Sequence, residues 1–119
     1  MENYEFSVGW KKKQTVIYFG SEVTIVVKIQ AYDVRDELSE EQKNNLSLYE
    51  KTIDTVIEEC QVRLVRIYEN ASVRFHPRTF LFKIDGSVAL LCDDTENPDE
   101  GIAIVVTQDY DIVSQDDYL

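Results

Sequence analysis

The sequence predicts an α+β domain, an antiparallel sheet of five to seven strands with one long helix packed across one face. Three observations carry this prediction. Short stretches that alternate apolar and polar residues stand towards both ends of the chain, from Tyr4 to Gln30 and from Phe80 to Ser114. Between them, Glu40 to Asn70 holds neither glycine nor proline and repeats apolar residues at spacings of three and four. Strands also gather before and after that segment instead of alternating with helices, which speaks against a parallel sheet of repeated βαβ units. With 119 residues and 44% hydrophobic composition, the chain can bury one continuous core, and residues 1–119 read as a single domain.

Tyr4-Glu5-Phe6-Ser7-Val8 alternates as a half-buried strand does, and Gly9 interrupts it before Trp10. Lys11-Lys12-Lys13 reads as a solvated turn or edge, since lysine blunts strand edges. Thr15 to Phe19 and Glu22 to Gln30 are dominated by β-branched and aromatic residues, and the Gly20-Ser21 pair between them supplies the turn of a hairpin. In its second arm Val23, Ile25, Val27 and Ile29 share the dry face.

Ser39-Glu40-Glu41-Gln42 has the form of a capping box, so a helix begins there with two acids at the positive end of its dipole. Leu46, Tyr49, Ile53, Val56, Ile57, Cys60, Leu64 and Ile67 trace one apolar stripe, the face that covers the sheet. About thirty unbroken residues span on the order of 46 Å, so this helix either overhangs the sheet or kinks near Glu58 to Val62. Asn70 to Arg78 is a connection, with Pro77 setting its exit. Phe80 to Asp85 alternates, and Asp85-Gly86 turns the chain into Val88 to Cys92, a second hairpin. Asp93 to Gly101 is a loop, Ile102 to Thr107 an apolar strand, Gln108 to Asp111 a turn, and Ile112 to Ser114 a short last strand.

Charge is placed along this chain rather than spread. Of twenty-three acids, ten lie between Ile84 and Leu119, and that stretch contains no Lys, Arg or His. It carries −10 of a formal −11, while the preceding residues balance thirteen acids against twelve bases. Since its apolar residues belong to the sheet, only its loops and ends can meet a partner. The candidate binding residues are therefore Asp93, Asp94, Glu96, Asp99 and Glu100 in the loop, Asp109, Tyr110 and Asp111 in the turn, and Asp116, Asp117 and Tyr118 at the end. A tyrosine among carboxylates is suited to anchor an interface with a polar rim.

The same composition excludes several functions. Nucleic acid and anionic membranes are repelled by an acidic surface. A helix-loop-helix calcium site starting at Asp93 would need glycine where Pro98 stands. Four isolated glycines build no phosphate-binding loop. His76, the single histidine, sits before Pro77 in a connection with no nucleophile or orienting acid assigned to it, and reads as structural. Cys60 and Cys92 fall at apolar positions of the helix and a strand, as reduced core thiols do. No cofactor and no metal are expected, and nothing identifies an enzyme. No signal-peptide pattern or membrane-length apolar run occurs, so a cytoplasmic location is expected.

The order of features resembles a known group of proteins. Trp10 before a hairpin with a Phe19-Gly20 turn, a long helix entered through Glu41-Gln42, Tyr68 near its end, and a closing Pro98-Asp99-Glu100-Gly101-Ile102-Ala103-Ile104 strand resemble small bacterial domains of unknown function. These are similar to immunity proteins of polymorphic-toxin and contact-dependent growth inhibition systems. The resemblance implies a protein that binds a cognate toxin domain, often a nuclease, and blocks its active site. Together with the charge it gives the expectation of a basic toxin domain as partner. The alternative expectation is a regulatory or structural protein-binding module whose partner is not a toxin.

Overall fold

A computed structural model describes residues 3–119 as an α+β fold with a seven-stranded, mostly antiparallel sheet. The first strands are β1 (Glu5–Phe6), β2 (Trp10–Tyr18) and β3 (Ser21–Ile29). The helices α1 (Glu40–Tyr49), α2 (Ile53–Ile67) and α3 (Ala71–Arg74) follow. Then come β4 (Phe75–Phe82), β5 (Val88–Asp94), β6 (Ile102–Val105), β7 (Asp111–Ser114) and a terminal α4 (Gln115–Tyr118). Spatial order follows chain order from β1 to β7. Each strand thus pairs with its neighbour in sequence, the arrangement that hairpins produce most directly.

The first hairpin turns at Phe19-Gly20, one residue earlier than Gly20-Ser21, because both adopt left-handed backbone (φ +48° and +80°) and Tyr18 pairs with Ser21. Two successive left-handed residues match the strand twist in a two-residue turn, and glycine holds the second position without strain. Lys11 to Lys13 are not a turn, and only Lys12 and Lys13 lie where β1 leaves the outer edge of β2 unpaired. All three lie inside β2, which has β1 on one side and β3 on the other.

One pair, β3 with β4, is parallel, with Val26 opposite Thr79 and Ile29 opposite Phe82. The helical segment is the crossover that parallel pairing requires. A single βαβ unit is sufficient for one parallel pair, so the lack of repeated units did not forbid it.

The single long helix of the sequence reading is replaced by two. α1 closes where the Glu50 amide donates to Leu46 O, and α2 opens where the Val56 amide donates to Thr52 O. Unbroken, the segment would be on the order of 46 Å long, beyond the molecule's greatest extent of 43 Å. Bending at residues 50–52 instead lets each half meet the sheet. The capping box forms as its residues imply, with the Gln42 amide donating to Ser39 Oγ (3.1 Å) and the Ser39 amide to Gln42 Oε1 (3.0 Å). Gln42 is itself buried and donates onward to Gln30 O at 2.8 Å, which ties α1 to the ends of β3 and β4.

α2 supplies the greasy cover. Ile53, Val56, Ile57, Cys60 and Leu64 are buried against Val16, Ile25, Val27, Phe80, Leu90 and Ile104 of the sheet, while Leu46 and Tyr49 pack at the edge of that core. Ile67, assigned to the same stripe, is 64% exposed because the helix ends there, beyond the core. The opposite face of the sheet has a smaller cluster, Ala89, Ala103 and Val105, on which Tyr118 packs.

Candidate protein-binding site

Two acids at the end of β5 are ion-paired, Asp94 within the fold and Asp93 at the surface. Asp94 accepts from Arg74 of α3 through both oxygens, at 2.9 and 3.0 Å, and its side chain is only 3% exposed. Its Oδ1 also takes the Glu96 amide at 3.0 Å, turning the chain out of the strand. These hydrogen bonds, the Arg74 bond above all, hold its carboxyl below the usual carboxylate range. Glu96 reaches the same guanidinium at 3.3 Å. Asp93, on the opposite face, pairs with Arg78 at 2.6 Å. Arg78 stands at an irregularity between Pro77 and Thr79, where the β4–β5 register shifts. The loop acids therefore divide into Asp93, Asp94 and Glu96, which have internal cations, and Asp99 and Glu100, which are exposed and make no ion pair among the described residues.

The second group is joined to α4 through one residue. Gln115 donates its backbone N–H to Gly101 O at 3.0 Å and its side-chain Nε2 to Cys92 O at 2.9 Å, latching the start of α4 to the base of the loop. Gly101 has no room for a side chain, since a Cβ there would collide with Gln115 and with the Cys92 carbonyl. Ser114 caps the helix by accepting from the Asp117 amide at 3.1 Å. Asp99 and Glu100 thus lie just before the latch and Asp116 and Asp117 just after it, all four exposed. Among the described residues none of the four makes an ion pair. Their grouping follows from the β5–β6 loop and the end of β7 sharing one end of the sheet.

Tyr118 belongs to the fold rather than to that exposed group. Its ring packs on the Ala89, Ala103 and Val105 cluster under the Lys83 ammonium, 4.4 Å from the ring centre. Its hydroxyl sits 2.8 Å from Ser87 Oγ, and its carbonyl accepts from Lys83 at 2.8 Å.

The turn at Asp109 to Asp111 is at the other end of β6, so four strand residues, roughly 13 Å, separate it from the loop. Asp109 and Tyr110 both have left-handed backbone, φ +53° and +61°. Arg63 of α2 anchors the turn by bridging Glu59 at 2.9 Å and Asp109 at 3.2 Å, with its guanidinium 5.3 Å from the Tyr110 ring centre. Burial raises the Tyr110 hydroxyl above its ordinary pKa. Tyr110 also lines a concavity of about 640 Å³ beside α2, with Thr55, Glu58, Gln61 and Val62. The sequence-derived residues therefore form one four-acid group around the Gly101–Gln115 latch and a separate turn against α2.

Sequence reasoning did not assign Gln115 and Gly101 to a junction, nor join Arg63, Arg74, Arg78 and Lys83 to the acidic segment, part of which they neutralise. The Ser114-Gln115-Asp116-Asp117 spacing of a helix cap was the one local signal.

His76 is exposed on β4, opposite Asp93. Among the described residues no group of three or more His, Cys, Asp or Glu side chains is placed to hold a metal ion, and no helix is long and apolar enough to cross a membrane. Compared with protein-family models, curated proteins and solved structures, the chain matches none.

Proposed function

We propose that this chain is an immunity protein that acts in the cytoplasm, binding a cognate bacterial toxin domain through that domain's basic surface and occluding it. The observation that carries the reading is the group Asp99, Glu100, Asp116 and Asp117: four exposed carboxylates beside one rigid latch, with no internal cation among the described residues. Like charges held together repel one another, and a cationic surface relieves that repulsion while speeding encounter. Asp111 and the Asp109–Tyr110 turn extend the same sheet edge towards its other end. Blocking a substrate surface calls for no catalytic group on this chain.

The test is protection. Cells expressing the toxin domain encoded immediately upstream of this gene are expected to grow only when this chain is co-expressed. The variant Asp99→Asn/Glu100→Gln/Asp116→Asn/Asp117→Asn keeps the fold, since none of its four positions holds an ion pair, and weakens the complex on the order of a hundredfold. Wild-type affinity falls as salt rises towards about 0.5 M. An affinity indifferent both to salt and to this variant would defeat the electrostatic reading.

A further inference from the structure

The far face of the sheet, away from α2, is only half covered. Registers place its side chains in two rows across the strands. Lys11, Lys28, Leu81, Ala89 and Val105 form one, and Lys13, Val26, Thr79, Leu91, Ala103 and Val113 the other. α4 lies over the β5–β7 part of these rows, with Tyr118 on Ala89, Ala103 and Val105. Over β2 and β3 the rows stay open, and Ile17 on the same face is 52% exposed.

The open part is cationic in an acidic protein. Among the described residues, Lys12, Arg35, Lys43, Arg63, Arg74, Arg78 and Lys83 each have an acidic partner. Five bases have none among those residues: Lys51 and Arg66 on the helical segment, and Lys11, Lys13 and Lys28 gathered on this face, although the chain has nearly two acids for every base. Lys11 and Lys28 stand directly opposite each other in the β2–β3 ladder, a like-charge pairing that costs stability, and Glu5 of β1 stands opposite Lys11 on its other side without reaching ion-pair distance. Partial burial, and then Lys11, lower the Lys28 ammonium below its ordinary pKa. Beside these lysines is a concavity of about 480 Å³, lined by Asn3, Glu5, Ser7, Lys11, Lys12, Lys13 and Val26, so that one carboxylate borders the lysines.

The covered half shows what this face can hold. There an acidic segment seats a tyrosine on small apolar residues, under one lysine that contacts both its ring and its carbonyl. The open half continues the same rows with three lysines, bordered by Glu5 of β1, and among the described residues no segment lies over it. We propose that the β2–β3 part of the far face docks a short acidic segment bearing an aromatic ring, contributed by a partner protein. Its carboxylates meet Lys11, Lys13 and Lys28, and its ring rests on Val26 and Thr79 beside them. This surface is distinct from the four-acid group and takes a ligand of opposite charge, so it stands or falls independently of the immunity reading.

The probe is a fluorescein-labelled hexapeptide with the sequence of Ser114 to Leu119, titrated into the full chain and followed by anisotropy and by backbone amide NMR. Saturable binding is expected, with shifts concentrated on β2 and β3. Lys11→Glu/Lys13→Glu, both at solvent-accessible positions, weakens it about tenfold or more. Lys28→Glu acts in the same direction, and Lys51→Glu, at an exposed position between α1 and α2, leaves it unchanged. Several results overturn the proposal: no binding; equal binding by the lysine-reversed variants; or shifts confined to Ala89 and Ala103, which would mean displacement of α4. So does undiminished binding of a peptide whose tyrosine is replaced by alanine together with full displacement by pyrophosphate, which would mark a general anion site. Salt-sensitive dimers that disappear in Lys11→Glu/Lys13→Glu would make a second copy of the chain the occupant and overturn it too.

Discussion

Replacing Asp94 by alanine separates the acids that hold this fold from those offered to solvent. Its side chain is 3% exposed and accepts two hydrogen bonds from Arg74 and one from the Glu96 amide. Deletion leaves a guanidinium that is 22% exposed with Glu96 as its remaining acidic neighbour, and leaves the Glu96 amide without its acceptor. Losing these bonds costs about 2–3 kcal/mol, less than removing one partner of a fully enclosed ion pair, because water screens the open side of Arg74. With an unfolding entropy of roughly 2 cal/mol/K per residue, a chain of this length loses about 10 °C in Tm. Asp94→Asn keeps an acceptor for the Glu96 amide and forfeits only the charge, so it falls between wild type and Asp94→Ala. Urea denaturation and calorimetry measure the stability, and the growth-protection assay measures function at a temperature where the variant is folded. The reasoning fails if Asp94→Ala is within about 0.5 kcal/mol of wild type. It fails equally if the variant is folded and yet protects no better than the four-acid variant, which would move Asp94 into the docking surface.

Acid should act through the same groups. The folded carboxyls of Asp94 and Asp85 are depressed, by the Arg74 bond and by the Ser87 amide respectively. Their stabilisation is complete above the ordinary carboxylate pKa of about 4 and is lost as pH falls through the lower folded values, so urea stability is expected to drop from about pH 5 downward to about pH 2, with a smaller drop in Asp94→Asn. Gly101→Ala forces Gln115 away from Cys92 O and releases α4, so it is expected to cost about 2 kcal/mol or more and to expose the α4 amides to hydrogen exchange. Burial raises the Cys60 thiol to about 12 and the Cys92 thiol well above its ordinary value, so neither is expected to react with a thiol reagent in the native state, while both react in denaturant. A fast native-state reaction would show that the core opens beneath α2.

What could be read from the sequence was whatever nearest neighbours decide. Alternation fixed which face of β3 is dry, Asp85-Gly86 placed the second hairpin, and Ser39 with Gln42 placed the helix start to the residue. The break at residues 50–52 was not legible, because the apolar spacing runs through it in phase, from Leu46 and Tyr49 to Ile53 and Val56, with no glycine or proline. It is set by the size of the sheet, a tertiary quantity. The parallel β3–β4 pair was hidden for a related reason, since a crossover reads locally as two hairpins around a helix. Within the candidate site, the acidic segment was evident from composition, but its division was not. Arg74 and Arg78 meet Asp94 and Asp93 across fifteen to twenty residues, and no periodicity records such pairs.

That division changes what a net charge of −11 means for association. A paired carboxylate presents little field to an approaching partner, whereas Asp99, Glu100, Asp116 and Asp117 present theirs in full. On the other half of the sheet, Lys11, Lys13 and Lys28 present the opposite sign. Four strand spacings, roughly 20 Å, separate β2 from β6. The Debye length at physiological ionic strength is about 8 Å, so each surface then acts as if the other were absent. At about 0.01 M salt it grows to about 30 Å, the two fields overlap, and the molecule behaves as a dipole that turns its β7 edge towards a basic partner before contact. Encounter rates measured at low salt therefore report both surfaces together. A Lys11→Glu/Lys13→Glu variant should accelerate encounter with a basic partner at low salt and leave it unchanged at physiological salt.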